Sequence, residues 1–308
     1  MSTSYLDIRI RLHLKEAGII NAHLLAVPVY VRHTAQAIFN TATKALDVLC
    51  PSWRDIIVGI STDGERKMTG RVSGVATRFR QAAKPGFIQI WCGAHQLDLV
   101  LQNCYVHFGN EVFYQQLTAV ISYLRRQQNL VAEIRTKAPK IADTRWESMY
   151  GVSLWFKLHK IALDEYFQSK RPACAPPPIW WAQLMVVQYF ASQATVTFKA
   201  LQGHDVTVAM QHSRLARLIE FYLNAVDGNG PLQEVEAAEL DADWVFSNCR
   251  RFAAPVASAE NLVLNQGSFV LDKIESVPEA ERESFFKDVA FLFVDAAARI
   301  AMIVPERD

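Results

Sequence analysis

The sequence lacks the features of a secreted or membrane-embedded protein. Its five cysteines are an odd number at scattered spacings, which excludes a disulfide framework and favours a reducing compartment. Residues 1–16 carry several charges and no apolar stretch, so we expect no signal peptide. The longest apolar stretch, residues 290–304, contains Asp295 and Arg299 and is too short to cross a bilayer. We therefore expect an intracellular, soluble protein without a membrane partner.

Internal repeats and a strong net charge are also absent, but the charge is unevenly distributed. The chain has 308 residues and a formal net charge of +1. Residues 1–172 contain 22 Lys and Arg against 13 Asp and Glu, whereas the remainder contains 10 against 18. The resulting asymmetry suits the first half to a polyanionic partner. A hydrophobic content of 51% is typical of a globular chain, and the length predicts about two structural units.

Strand and helix patterns alternate in the first hundred residues. Residues 5–14 alternate strictly between apolar and polar side chains, and residues 19–31 form a second extended run after Gly18. Together they predict an antiparallel hairpin. The later patterns predict a helix over 34–50, a buried central strand over 55–60, a basic helix or loop over 66–84, a short strand over 87–91 and a helix over 93–105.

Helical patterns dominate after about residue 110. The predicted helices cover residues 112–136, 146–168, 179–201, 206–225 and 280–302. A proline-rich linker over 171–178 interrupts them, and the acidic stretch 234–243 is expected to be a solvated loop or helix face. Trp180 and Trp181 are more consistent with core packing than with a stacking platform. The fold class that follows is α/β, of the α+β type, with a small mixed sheet before an all-helical region.

Asp63 is the strongest candidate for a metal ligand. It follows the predicted central strand, and open α/β sheets bind ligands at the carboxyl ends of their strands. Gly59 and Gly64 allow close backbone approach, and Thr62 adds a hydroxyl. A carboxylate there suits Mg²⁺, which prefers oxygen ligands. Alternatively, Asp63 caps the following helix, and spacing alone favours this second interpretation.

Two Cys-x-x-His pairs suggest zinc at first sight. Cys92 and His95 lie at the predicted strand-to-helix junction, and Cys104 and His107 repeat the spacing. Four such ligands would suit zinc. However, a helical rise of 1.5 Å per residue separates Cys92 from Cys104 by ~18 Å, which is too far for one ion. We therefore expect Cys92 and His95 to form a packed, hydrogen-bonded pair without zinc.

A basic stretch precedes the dipeptide Arg145-Trp146. Basic side chains beside an exposed aromatic ring suit phosphate contacts combined with base stacking. Alternatively, Trp146 begins the apolar stripe of a core helix, and the residues alone favour neither interpretation. The basic side chains are those of Arg125, Arg126, Arg135, Lys137 and Lys140.

Four segments taken together resemble hAT-family DNA transposases. Their order and spacing are more specific than any single segment, and the resemblance covers most of residues 5 to about 200. The segments are IIVGISTDGERKMTGRVSGVATRF (56–79), IWCGAHQLDLVLQ (90–102), YLRRQQNL (123–130) and ADTRW (142–146).

The resemblance implies a fold and a set of site residues. It implies a partial RNase H-like core over residues 1–108, followed by a helical insertion-type region over 109–308 with a break near 171–178. In that family the RNase H-like fold holds three acids that bind two divalent metal ions. The matching positions are Asp63 for the second acid, Cys92 and His95 for the Cys-x-x-His motif, and Arg145-Trp146 for the insertion-domain pair, whose Trp stacks on a flipped base.

The chain departs from the family pattern at the other acids. The family's first acid precedes the segment that resembles residues 4–11, and Asp7 lies in a different register. No pattern in residues 284–308 matches the last acid, Lys67 stands where the family usually has Asn, and no BED-type zinc finger precedes the core. Two-metal catalysis needs carboxylates around both ions. We therefore expect a truncated, non-catalytic remnant without a cofactor, and Mg²⁺ or Mn²⁺ only if the acidic site were completed.

Three functions follow from these observations. The preferred one is a nuclear, transposase-derived protein that binds DNA through Arg125, Arg126, Arg145 and Trp146, with self-association as a further expectation. The second is an active metal-dependent transposase or nuclease whose acids are completed by a partner chain. The third is a helical protein-interaction module without a nucleic-acid role. Salt-dependent DNA binding separates the first from the third, and metal-dependent cleavage separates the second from both.

Overall fold

The computed structural model describes residues 4–29, 34–141, 148–203, 205–303 and 306–307. The chain divides into two compact units. Unit 1 comprises Met1–Gln96, Gln202–Gln211 and Val304–Asp308, and unit 2 comprises Leu97–Leu201 and His212–Ile303. Each unit is therefore assembled from separate stretches of the sequence.

An antiparallel hairpin begins unit 1, as the alternating pattern predicted. Strand β1 is Ser4–Leu14 and strand β2 is Gly18–Val29. Their register runs from Ser4 opposite Val29 to Leu14 opposite Gly18, with one irregularity at Ile8 and Arg9. Gly18 has a φ of +69°, a conformation that glycine adopts at no steric cost and that closes the turn.

The hairpin also holds a distant part of the chain within unit 1. The Arg11 guanidinium donates a hydrogen bond of 2.8 Å to the carbonyl oxygen of Val206 and another of 2.8 Å to Oδ1 of Asn21. Val206 is buried. A charge-assisted bond to a buried carbonyl is among the stronger hydrogen bonds, so Arg11 connects the segment Gln202–Gln211 to the hairpin.

A small aromatic core supports unit 1. Helix α1 covers Ala35–Leu49, and the Thr34 hydroxyl accepts the Ala37 N–H at 3.1 Å, which caps the helix N-terminus. The ring of Phe79 meets Phe39 at 5.0 Å and Trp53 at 5.5 Å between centroids, both edge to face. The buried members of this core are Ala42, Trp53, Val75, Phe79 and Phe87.

The buried central strand predicted over residues 55–60 is wrong in position and in place. Residues Trp53–Ile56 form a single helical turn, α2, and strand β3 covers Gly59–Thr62. This strand is partly exposed and lies at the edge of its sheet in the described part of the chain. The turn is fixed by Asp47, whose carboxylate accepts the Trp53 indole N–H at 2.8 Å and the Arg54 guanidinium at 2.6 Å. Hydrogen bonds from Trp53 and Arg54 to Asp47, six and seven residues earlier, therefore favour a helical turn over the strand that the apolar run predicted.

The second strand pair of unit 1 is parallel. Helices α3 (Arg66–Thr69) and α4 (Val75–Ala82) connect β3 to strand β4 (Ile88–Trp91), and the register runs from Gly59 opposite Ile88 to Thr62 opposite Trp91. A Cβ at Gly59 would lie 2.4 Å from the Ile88 carbonyl oxygen, so only glycine permits this close approach.

Helices make up most of unit 2, and one of them, α10 (Val208–Ala225), begins in the Gln202–Gln211 stretch of unit 1. The helix predicted over 112–136 is interrupted at Arg125–Gln127, and the helix predicted over 146–168 extends to Lys170 from the first described residue, Ser148. The helices are α5 (Gly93–His107, which begins in unit 1), α6 (Val112–Leu124), α7 (Gln128–Ile134), α8 (Ser148–Lys170), α9 (Pro178–Leu201) and α10 (Val208–Ala225).

Helix α9 lies at the centre of unit 2. Trp180 and Trp181 are each only 1% exposed, which confirms their predicted place in the core. The Trp181 ring contacts Phe156, Phe167 and Phe269, with centroids 5.5–6.5 Å apart. At ~25 cal/mol per Å² of buried apolar area, such large buried rings contribute substantially to the stability of this unit.

The last part of the chain is not wholly helical as predicted. A short antiparallel pair, β5 (Trp244–Phe246) and β6 (Ala253–Pro255), lies between the helices, and β7 (Glu306–Arg307) joins unit 1 antiparallel to β4, which gives a mixed sheet in the order β3-β4-β7. The fold is therefore a mostly helical α+β arrangement with small sheets. The remaining helices are α11 (Glu234–Ala238), α12 (Val256–Leu264), α13 (Ser268–Glu275) and α14 (Glu279–Ala301).

Candidate functional site

Asp63 lies at the carboxyl end of β3, where the sequence placed a ligand-binding carboxylate. Its side chain is exposed, and its Oδ1 accepts the backbone N–H of Glu65 at 3.2 Å. The neighbouring Gly64 packs against the Trp91 ring, since a Cβ there would lie 2.7 Å from that ring. The parallel ends of β3 and β4 therefore present Asp63 on a close-packed edge, in the arrangement that open sheets use for ligands.

The acid nearest to Asp63 in sequence is already paired. The Glu65 carboxylate accepts the Lys67 ammonium at 2.8 Å, with both side chains partly exposed. Within the described part of the chain, no three His, Cys, Asp or Glu side chains come together as a metal-binding group. The edge therefore carries one unpaired carboxylate, Asp63, together with a neutralised acid–base pair.

Cys92 and His95 follow the neighbouring strand β4. The Cys92 N–H donates to the Thr62 carbonyl oxygen at 3.0 Å, which extends the strand pairing by one residue, and His95 lies in the first turn of α5. Both side chains are half-buried. Because β3 and β4 are parallel, Cys92 and His95 lie at the same edge of the sheet as Asp63.

The second Cys-x-x-His pair lies too far along the helix to join the first. Helix α5 is continuous from Gly93 to His107, so Cys104 lies about three turns beyond Cys92, as the rise of a helix requires. Burial raises the pKa of the Cys104 thiol well above its ordinary value, chiefly through desolvation. His107 instead lies 3.3 Å from the Glu111 carboxylate. Cys104 is a packing residue of unit 2.

Arg125 and Arg126 follow the end of α6 and differ in their environments. The Arg125 guanidinium donates to the carbonyl oxygen of Ala138, a residue that is 2% exposed. Arg126 is exposed to solvent. Arg125 therefore fixes the path of the chain beyond α7, whereas Arg126 is accessible to a partner.

An exposed basic segment extends from Arg126 to residue 141, and we call it the basic segment. Glu133 is its single acid. Among the residues that the structure describes, the four exposed cations of this segment form no ion pair. Such cations are available to phosphate groups, because they need not first break an existing contact. They are Arg126, Arg135, Lys137 and Lys140.

The pair predicted to complete this surface, Arg145 and Trp146, lies outside the described residues, which resume at Ser148. Their place relative to the basic segment is therefore given by the sequence alone. Trp146 follows Lys140 by six residues. At ~3.3–3.6 Å per extended residue, that separation is within reach of one nucleic-acid strand.

Comparison with known protein families and with curated proteins finds no match to this chain. None of the described helices is both long enough and apolar enough to span a membrane.

Sequence reasoning missed a small cavity in unit 2 with a mixed, mainly apolar lining. It is lined by residues from α6, α9 and α14, including Glu281 and Asp288. These residues are distant in sequence and carry no recognisable motif. Only the spacing of Glu281 and Asp288, seven residues apart on one helix, indicates that both lie on the same helix face.

Proposed function

We propose that this chain is a transposase-derived, hAT-type protein that binds DNA and neither cuts nor joins it. The observation that carries the proposal is the basic segment, whose four exposed cations lack ion-pair partners among the described residues. Cations of this kind interact with phosphates independently of base sequence and account for most non-specific DNA affinity.

The order of elements in unit 1 supports a partial RNase H-like core. An antiparallel hairpin, a helix, and then a parallel strand pair with connecting helices follow one another in the chain. Within that proposed core Asp63 occupies the strand end at which the family holds its second acid. This correspondence links the basic segment to the family's DNA-handling role.

We infer the absence of cleavage from the two acids of the family pattern that this sequence does not match, together with the charges near Asp63. Two-metal phosphoryl transfer holds two divalent ions about 3.5–4 Å apart with several carboxylates. Here the Lys67 ammonium forms an ion pair with the Glu65 carboxylate at 2.8 Å. Because Lys67 neutralises the charge of Glu65, Asp63 is left as a single carboxylate, which gives a weak site for Mg²⁺ or Mn²⁺.

The residues outside the described ranges complete the proposal. We assign Trp146 to stacking on an unpaired base and Arg145 to an adjacent phosphate, which is the role their family positions imply. Trp146→Ala should then weaken binding to single-stranded or distorted DNA by about 1–3 kcal/mol and leave duplex binding unchanged. We also propose a nuclear location, which the resemblance implies, and fluorescence microscopy of the tagged full chain tests it.

The basic segment is tested by the salt dependence of DNA binding. The variant carries Arg126→Gln, Arg135→Gln, Lys137→Gln and Lys140→Gln together, and binding is measured by fluorescence anisotropy between low and physiological salt. Each lost phosphate contact lowers the slope of log Kd against log salt by about 0.9 for duplex DNA. With four contacts removed, we expect the slope to fall by about 3.6 and the affinity at low salt to fall steeply.

A matched control separates local contacts from net charge. Lys170, Lys199, Arg250 and Lys287 are exposed cations of the same unit outside the basic segment, and replacing all four with Gln makes the same change in net charge. The control variant should retain most of the wild-type affinity and slope. Equal losses in both variants, or no salt-dependent binding by the wild type, would contradict the proposal.

A further inference from the structure

Strand β1 lies at an edge of its two-stranded sheet. It pairs with β2 on one side, and within the described ranges no strand pairs with it on the other. The strand is accessible, since Tyr5 is 63% exposed and the side chain of Arg9 is 71% exposed. Such an edge offers a row of backbone N–H and C=O groups to a further strand.

The opposite edge of the hairpin, along β2, is less suited to pairing. The register shifts beside Ile8 and Arg9, which leaves Leu24 of β2 as an extra residue in a bulge. Pro28 in the same strand has no backbone N–H. Bulges and prolines protect edge strands from other chains, and β1 contains neither. The edge of the hairpin that can accept another strand is therefore that of β1.

The middle of β1 is held in place on both of its faces. Ile8 packs against the aromatic core of unit 1. On the other face the Arg9 guanidinium donates to the Asp7 carboxylate at 3.2 Å, and the His23 ring nitrogen lies 2.7 Å from the same carboxylate. A strand that is already ordered loses little conformational freedom when it pairs.

We propose that two copies of this chain associate through the outer edges of their β1 strands, which pair antiparallel with Ile8 opposite the partner's Ile8. Residues 4–12 of one strand then lie opposite residues 12–4 of the other. The same surface is used on both copies, as in most symmetric dimers. The two hairpins together form one continuous four-stranded sheet.

The side chains of β1 are self-complementary in this register. Residues directly opposite each other in an antiparallel pair lie on the same face of the sheet. With Ile8 at the centre, Asp7 lies opposite the partner's Arg9, and Arg9 lies opposite the partner's Asp7. On the apolar face Leu6 lies opposite the partner's Ile10. Opposite charges stabilise cross-strand pairs, whereas like charges destabilise them.

Neighbouring registers lose this complementarity. A pair centred on Asp7 or on Arg9 places that residue opposite its own copy, so that identical charges meet. A pair centred on Ile10 places Arg9 opposite the partner's Arg11, and one centred on Leu6 pairs only residues 4–8 and no opposite charges. A centre between two residues sets apolar side chains opposite charged ones. The sequence of β1 therefore favours the register centred on Ile8.

The same charges also have a purely protective explanation. Charged side chains on an edge strand discourage pairing with other chains, and in that case Asp7 and Arg9 keep the protein monomeric. The two explanations predict different oligomeric states, so they can be separated. The proposal concerns the hairpin alone and does not depend on DNA binding by the basic segment.

Sedimentation velocity of the full chain over a range of concentrations tests the association. An interface of two edge strands is small, so we expect a monomer–dimer equilibrium with a Kd of about 10–100 μM. Asp7→Arg and Arg9→Asp each place like charges opposite one another at two positions, and each should weaken the dimer at least about tenfold. A wild-type protein that stays monomeric at several hundred micromolar, or variants that dimerise as strongly as the wild type, would overturn the proposal.

Two controls make the same changes in charge on the same hairpin. Glu16 and Lys15 are exposed in the turn between β1 and β2, outside the residues that pair. Glu16→Arg and Lys15→Asp should therefore leave the dissociation constant of the dimer unchanged. Equal weakening by these controls would show that net charge, and not the pairing of β1, governs association.

A mixture of the two single variants tests the register itself. Asp7→Arg and Arg9→Asp chains each repel their own copies, but in a mixed pair the two introduced charges lie opposite each other and the two remaining charges do the same. We expect the mixture to form a heterodimer with about the wild-type affinity, detected by sedimentation with a dye attached to one variant. Absence of the heterodimer, with circular dichroism confirming that both variants are folded, would refute the pairing.

Discussion

Arg125 and Arg126 are adjacent in sequence but have different roles. The first donates to the carbonyl oxygen of buried Ala138, and the second is exposed on the basic segment. The sequence presents them as one basic pair, since nothing in a local pattern shows which guanidinium turns back onto the chain. The two roles can therefore be distinguished by comparing a variant of each arginine.

We expect Arg125→Gln to destabilise the protein and Arg126→Gln to leave its stability nearly unchanged. Leaving a buried carbonyl without its donor costs about 1–3 kcal/mol, whereas an exposed substitution changes stability by less than about 0.5 kcal/mol. Urea denaturation followed by circular dichroism measures both. Similar stability of the two variants would show that the contact with Ala138 contributes little.

A second lesson at this scale concerns Asp47. Its bonds to Trp53 and Arg54 create the turn that displaced the predicted strand. The apolar run 55–60 carries no period that separates a strand from a turn. The outcome depends on side chains that the chain brings together only on folding. Asp63, by contrast, could be placed from the sequence because it follows the strand whatever residue begins that strand.

Helix α9 is an element that the sequence predicted almost completely. Its apolar positions cover nearly the whole surface of the helix, and its predicted range of 179–201 differs from the observed Pro178–Leu201 by one residue. A helix that is apolar all round is expected to be buried. The strands β5 and β6 were missed because three residues are too few to establish an alternating pattern.

The central place of α9 leads to a prediction about its packing. Trp181→Ala should lower the free energy of unfolding by about 3–5 kcal/mol, since the cavity left by a buried Trp is refilled only in part. Val196, on the same helix, is 59% exposed, so Val196→Ala should change the free energy of unfolding by less than about 0.5 kcal/mol. Thermal and urea unfolding provide the measurement. A small effect of Trp181→Ala would place the core elsewhere.

A prediction at the scale of the whole molecule concerns its activity on DNA. We expect no plasmid nicking by the wild type with Mg²⁺ or Mn²⁺, and therefore no further loss in Asp63→Ala. The reason is that Lys67 neutralises the acid nearest in sequence to Asp63. Asp241→Ala, an exposed acid of unit 2, serves as the control. Nicking that disappears in Asp63→Ala but persists in Asp241→Ala would show a complete catalytic site.

For the whole molecule, the sequence predicted the class of fold, but it did not indicate that unit 1 includes residues 202–211. A mixed sheet followed by helices is what the periodic patterns indicate, and the structure contains both. No local pattern shows that residues 202–211 belong with the hairpin, because the Arg11 contact spans 195 positions. Long-range side-chain bonds of this kind therefore carry information about assembly that local sequence patterns do not contain.

The return of Gln202–Gln211 to unit 1 has a consequence for how this protein can change over evolutionary time. Most domains are inherited as unbroken stretches of a gene and can be shuffled or deleted singly. Here any break between residues 97 and 201 would separate unit 1 from the strip of chain that Arg11 binds. We therefore expect the two units to be inherited together, as a single heritable block.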